Sequence, residues 1–139
     1  MKLQEVTKRK AAYEHLKFYQ NICELRKLVF EITQRFEKIH IRLVSQMRDA
    51  ARSAKQNIRE GYKKGTIGEF IHSINISRGS LEELAGDLED CKEDHLISSL
   101  EFTQLSKLVN SADYLSARYI GSLYKMKQEG TWKTPKRVK

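Results

Sequence analysis

The chain carries no proline before Pro135, and over that whole stretch its apolar residues recur in steps of three and four. Proline breaks helices by removing a hydrogen bond and crowding the preceding turn, so its absence leaves helix length almost unrestricted. Apolar residues at i, i+3 and i+4 place a stripe on one face of each helix, and that stripe must be buried. Seven glycines in 139 residues supply few other breaks. The pattern predicts an all-α, antiparallel up-down four-helix bundle with short connections.

Helices are expected over about 5–37, 41–64, 67–93 and 99–127. The inner stripe of the first is Ala12, Leu16, Tyr19, Ile22, Cys23, Val29, Ile32 and Phe36. Gly65 and Gly68 bracket the second turn, where Thr66 with Glu69 three residues on reads as a capping box. Ser98 or Ser99 is the expected cap of the fourth helix, and Gly130 its stop. Residues 1–130 form one domain in this reading, and 131–139 a basic, flexible tail.

No apolar run approaches the roughly 18 residues of a membrane span, and Met1 to Lys10 lacks the apolar core of a signal peptide. The expected location is the cytoplasm, without membrane attachment. Cys23 and Cys91 fall at apolar-periodic positions and read as reduced thiols rather than a disulfide. His15, His40, His72 and His95 share no metal-ligand spacing, and no Glu-x-x-His pair of a di-iron bundle is present. Neither metal nor cofactor is expected, and no nucleophile has a base beside it in sequence; the chain reads as a non-enzyme.

The net charge of +8 is unevenly placed. Residues 1–64 carry +9, residues 65–129 carry −5, and the last ten carry +4. Much of the positive charge lies on the second helix. Arg48, Arg52, Lys55, Arg59 and Lys63 are spaced four, three, four and four apart. At helical pitch they share a sector about 80° wide, beside the apolar face. Such a stripe suits phosphate groups, whose neutralisation releases counterions and gives salt-dependent binding of low sequence specificity. Two other readings exist: pairing with an acidic ridge of Glu83, Asp87, Asp90 and Asp94 on a neighbouring copy, or simple solvation. Lys8, Arg9 and Lys10 and the tail cations Lys133, Lys136, Arg137 and Lys139 add to the basic character; Trp132 and Tyr124 are candidates for base stacking, and Trp132 equally for docking on its own chain.

The same helix holds a motif. Ser53-Ala54-Lys55-Gln56-Asn57-Ile58-Arg59-Glu60-Gly61 resembles the S-x-x-x-N-I-A-E-G signature of the bacterial four helix bundle protein family, which includes proteins encoded in intervening sequences of large-subunit ribosomal RNA genes. Gln46 to Ala51 resembles the segment before that signature. Glu69-Phe70 and Arg78-Gly79-Ser80-Leu81-Glu82-Glu83-Leu84 resemble the segment after it, and Leu16 to Gln20 the family's opening. The likeness covers about residues 15–125. It implies a four-helix bundle that assembles as a homo-oligomer, a pentamer in related proteins, with a basic surface. A distant branch serves diversity-generating retroelements as an accessory subunit that binds a reverse transcriptase and nucleic acid. This chain departs from the pattern in having Arg59 in place of the family's alanine, and Lys55 within the stretch where the family has Ile-Pro, which adds two cations to the stripe.

Ser53, Asn57, Glu60 and Gly61 read as a structural signature, a hydrogen-bond network between helices or between subunits, with Gly61 allowing close approach. The expected function is therefore that of a non-catalytic, homo-oligomeric protein that binds RNA or DNA backbone through Arg48, Arg52, Lys55, Arg59 and Lys63. The alternative is a protein-interaction adaptor that docks a partner such as a reverse transcriptase.

Overall fold

The computed structural model describes residues 11–132. Within it, α1 spans Lys17–Thr33, α2 Ile41–Lys63, α3 Ile67–Glu93 and α4 Ser99–Glu129, and no strand occurs among the described residues. Each helix touches its two neighbours in the cycle α1–α2–α3–α4–α1, and the diagonal pairs do not meet. Connections of seven, three and five residues force successive helices to run antiparallel. The fold is the expected four-helix bundle. None of these helices is long and apolar enough to cross a membrane.

The first helix is shorter than its periodicity suggests. Residues 5–10 of the expected span lie outside the described residues. Ala12–His15 form a 3-10 turn, and Leu16 is extended, with φ −70° and ψ 129°. At the other end the helix stops at Thr33, and a turn over 34–36, extended Glu37 and a 3-10 turn at Lys38–His40 lead into α2. Thr33 explains part of this early stop. Its buried hydroxyl donates to the Val29 carbonyl at 2.6 Å and reaches the Phe30 carbonyl at 3.2 Å, the acceptor that the Gln34 amide would use in a continuing helix; that amide turns instead to the Glu31 carbonyl at 3.3 Å. Ala12 is exposed, while Phe18 and Leu25, outside the expected stripe, are core residues.

The core runs the length of the bundle. Ile22, Leu25 and Val29 of α1 meet Met47, Ala51, Ala54 and Ile58 of α2; Ile74, Leu81, Leu84 and Leu88 of α3 and Leu105 and Leu123 of α4 close it. The small residues of α2 set how closely it packs. Ala51, Ala54 and Gly61 let α2 sit deep against α3, with Ser77 Oγ donating to the Ala54 carbonyl at 2.7 Å. A Cβ at Gly61 would lie 2.2 Å from Ser73 Cβ.

Caps mark the remaining ends. Thr66 Oγ1 accepts from the Glu69 amide at 3.2 Å, which is the forward half of the expected box. Ser98 and Glu101 make both halves: Glu101 N–H donates to Ser98 Oγ at 3.1 Å and Ser98 N–H to Glu101 Oε1 at 2.9 Å. Gly130 ends α4 in the left-handed region at φ 69°. Of the tail, Thr131 and Trp132 are described. Trp132 packs on Phe70 and Tyr62 at the bottom of the bundle, its indole N–H donating to the Gly65 carbonyl at 3.4 Å. Of the two readings of Trp132, docking on its own chain is the one observed, whereas Tyr124 stays exposed on α4. The tail cations from 133 onward, and Lys8, Arg9 and Lys10, lie outside the described residues.

The acidic ridge also needs correction. Glu83, Asp90 and Asp94 are exposed, but Asp87 is buried and accepts a hydrogen bond from Gln46 Nε2 of α2 at 2.9 Å. Its other oxygen, Oδ2, has no partner among the described residues. Asp87 lies one helical turn before buried Cys91, so it falls on the edge of the apolar stripe rather than opposite it.

Candidate nucleic-acid interface

Helix α2 presents two flanks to solvent, one toward α1 and one toward α3. The cations of its basic sector do not behave alike on them. Arg52 and Arg59 are exposed and Lys55 is half-buried, and with Gln56 they line a cleft of about 180 Å³ that Arg26 of α1 completes from across the groove. Arg26 lies on the first helix and was missed by reading α2 alone. The available signal was its position between Ile22 and Val29, which places it at the margin of the buried stripe where α1 meets a neighbour.

Arg48 is diverted. Its Nε donates to Thr33 Oγ1 at 2.9 Å, its Nη2 to the Phe30 carbonyl at 3.4 Å, and its guanidinium lies 4.4 Å from the Phe30 ring centre. It clasps the end of α1 as much as it faces solvent. Lys63 is exposed in the last turn of α2 and does not line the cleft. The five-residue stripe therefore resolves into a cluster of Arg52, Lys55 and Arg59 joined by Arg26, with Arg48 and Lys63 outside it.

None of these clustered cations is in ion-pair contact with a carboxylate among the described residues. The ion pairs there are Arg35 with Glu101 and Arg78 with Asp113. The second pair makes an instructive contrast. The groove between α3 and α4 is larger, about 540 Å³, but its cation Arg78 donates to Asp113 at 2.8 Å. A groove whose cation already holds a carboxylate attracts an anion weakly; four cations without such partners around a small cleft attract one strongly.

The opposite flank of α2 carries the motif residues. Asn57 Nδ2 donates to the Ser53 carbonyl at 2.8 Å and to Ser53 Oγ at 3.0 Å. Ser80 Oγ of α3 donates to Ser53 Oγ at 3.0 Å, so the serine links the two helices. Glu60, expected within this network, makes no hydrogen bond in it; with Asp49 it stands beside the network along a shallow cleft of about 340 Å³. Arg52 and Gln56 line both this cleft and the cationic one, and so stand between the carboxylates and the remaining cations.

Other chemistry-bearing groups sit apart. Cys91 is fully buried, its thiol 3.6 Å from Met47 Sδ, and burial pushes its pKa up to about 11. Cys23 is a free, half-buried thiol. Burial, then the charges of Asp90 and Glu83, raise the Asp87 carboxyl above its ordinary value against the opposing hydrogen bond from Gln46. No group of three His, Cys, Asp or Glu side chains converges among the described residues.

Fold and groove together define an all-α four-helix-bundle protein with a basic cleft between its first two helices. The sequence model of the 23S rRNA-intervening sequence protein family matches residues 14–116, and the chain belongs to that family. A solved structure with a similar fold is a protein of unknown function of the S23 ribosomal protein family from Bacteroides thetaiotaomicron. It is 21% identical, superposes with a TM-score of 0.58, and the match covers 76% of this chain and 93% of that one. No curated protein matches the sequence.

Proposed function

We propose that this protein binds nucleic acid without catalysis, gripping the phosphate backbone in the groove between α1 and α2 with low sequence specificity. One observation carries the reading: Arg26, Arg52, Lys55 and Arg59 line a common cleft, and the ion pairs among the described residues involve none of them. Cations held together without direct ion pairs repel one another, and a phosphate relieves that repulsion while releasing its own counterions. Membership of a family named for an rRNA gene element fits an RNA partner. The Ser53 hydroxyl is engaged by Asn57 and Ser80, which supports a structural rather than a nucleophilic role.

We further propose that the protein acts as a homo-oligomer, as the family resemblance implies. Ile39, Ile41 and Leu100, at 83%, 64% and 75% exposure, lie in or beside the two connections at one end of the bundle and suit contact between copies. Assembly would repeat the cleft, so that weak contacts act together.

The test is binding of the purified protein to structured RNA and duplex DNA across a salt series, with complex size followed by light scattering. The expected result is affinity that falls steeply with salt and is reduced by Arg52→Glu with Arg59→Glu, while helicity and unfolding midpoint are unchanged. Affinity indifferent to that charge reversal would overturn the proposal and shift the reading to a protein adaptor docking an acidic surface.

A further inference from the structure

The cationic cleft does not stand alone. Lys55 also lines a second, larger cleft of about 500 Å³ that continues along the same α1–α2 groove. Its walls are of another kind: Tyr19, Gln20, Cys23 and Glu24 of α1, with Lys27 at its rim and Glu14 before the helix. A volume of that order falls in the range of small-molecule sites. The ring of Tyr19 and the thiol of Cys23 supply an apolar side, Gln20 and Glu24 supply amide and carboxylate groups, and Lys55 stands between this mixed cleft and the cluster of arginines. A backbone phosphate needs only the arginines. A neighbouring cleft with apolar walls, an amide and carboxylates suits the neutral part of a nucleotide, because carboxylate and amide side chains pair with exocyclic amines on base edges.

We propose that the α1–α2 groove is a site for one unpaired nucleotide: its phosphate held by Arg26, Arg52, Lys55 and Arg59, and its nucleoside lodged in the adjoining cleft beside Tyr19, Cys23 and Glu24. The ligand class is single-stranded polynucleotide, a loop or a free end, since a base stacked and paired in a duplex cannot enter the second cleft. This rests on the backbone-binding reading above and narrows it.

Cys23 provides the direct readout. Cys91 is fully buried, so a maleimide applied to the native full-length protein modifies Cys23 first. Labelling is followed with no oligonucleotide, with an eight-nucleotide single strand of RNA or of DNA, and with a duplex of the same sequence, while anisotropy measures affinity for each. Single strands are expected to bind at least about fivefold tighter than duplex, the low end of what one base contact contributes, and to slow labelling of Cys23 where duplex does not. Gln20→Ala with Glu24→Asp, which keeps the charge beside Lys55, should weaken that preference and leave duplex affinity unchanged; both side chains line the cleft and are exposed, and a thermal melt checks that losing the 3.2 Å bond from Gln20 Nε2 to the Glu14 carbonyl leaves the bundle folded. Equal affinity for single strand and duplex, with labelling unaffected by either, would overturn the nucleotide site and leave backbone binding standing. Absence of binding to every probe would overturn both. RNA bound more tightly than DNA would support the site and assign part of the contact to the ribose hydroxyl.

Discussion

Gly61 of α2 and Ser73 of α3 approach so closely that a Cβ on the glycine would lie 2.2 Å from Ser73 Cβ and 2.4 Å from its Oγ. The two helices are joined by a three-residue turn, and this contact lies beside it. Replacing Gly61 with alanine must push α3 outward, because the obstructing atom is a Cβ fixed to the backbone. Overpacking of this kind costs about 1–3 kcal/mol. Gly61→Ala should lower the urea midpoint by a corresponding amount, and adding Ser73→Gly should recover part of the loss. A double variant no more stable than Gly61→Ala alone would place the strain elsewhere.

Asp87 is held inside the α2–α3 seam with one oxygen bonded to Gln46 and the other without a partner among the described residues. Burial raises its pKa in the folded state, so the folded protein keeps this proton to higher pH than the unfolded chain does. Stability therefore falls as pH rises from the ordinary carboxylate value through the raised one. Asp87→Asn removes the charge while preserving an acceptor for Gln46. It should flatten that part of the stability-versus-pH curve, as measured by urea unfolding at several pH values.

Arg48 stands apart from the other cations of the basic stripe. Its hydrogen bonds to Thr33 and Phe30 and its place over the Phe30 ring tie α2 to the end of α1. Arg48→Ala should destabilise the bundle by about 1–2 kcal/mol. Arg59→Ala should leave stability nearly unchanged and reduce nucleic-acid affinity more than Arg48→Ala does. Thermal melts beside binding isotherms separate the two effects; the reverse ranking would relocate the interface toward the start of α2.

Arg35 and Glu101 clasp the two connections at one end of the bundle, with Arg35 Nη1 donating to Glu101 Oε2 at 2.6 Å and Nη2 to the Leu96 carbonyl at 3.2 Å. The Arg35 guanidinium, chiefly by hydrogen bonding, brings the Glu101 carboxyl down to about 2. Its stabilising effect is complete above the ordinary carboxylate range and is lost as pH falls through about 2. Half of the Arg35 side chain is exposed, so solvent screens the pair and Glu101→Gln should cost at most about 1 kcal/mol at neutral pH. The variant should also show a shallower loss of stability in acid.

The helical content, the number of helices and the starts of α2, α3 and α4 are properties of local sequence. Periodic apolar residues, the Thr66 and Ser98 caps and the stop at Gly130 act within a few residues of one another, so the order of residues along the chain suffices to place them. The early end of α1 was less legible, because residues 34–40 contain neither glycine nor proline, and the Thr33 hydroxyl bond that accompanies the break is reinforced by Arg48 from another helix.

The candidate site divides along the same line. That α2 carries a ridge of cations beside its buried face follows from spacing at a fixed pitch and was legible along the chain. Which of those cations share one cleft was settled by packing. Packing α1 against α2 brought Arg26 to the cleft, drew Arg48 away onto Thr33 and Phe30, and left Lys63 outside. The same packing turned Asp87 from a supposed surface charge into a buried one. A helical wheel gives angles around one axis; which side chains share a groove depends on the neighbour that forms its other wall.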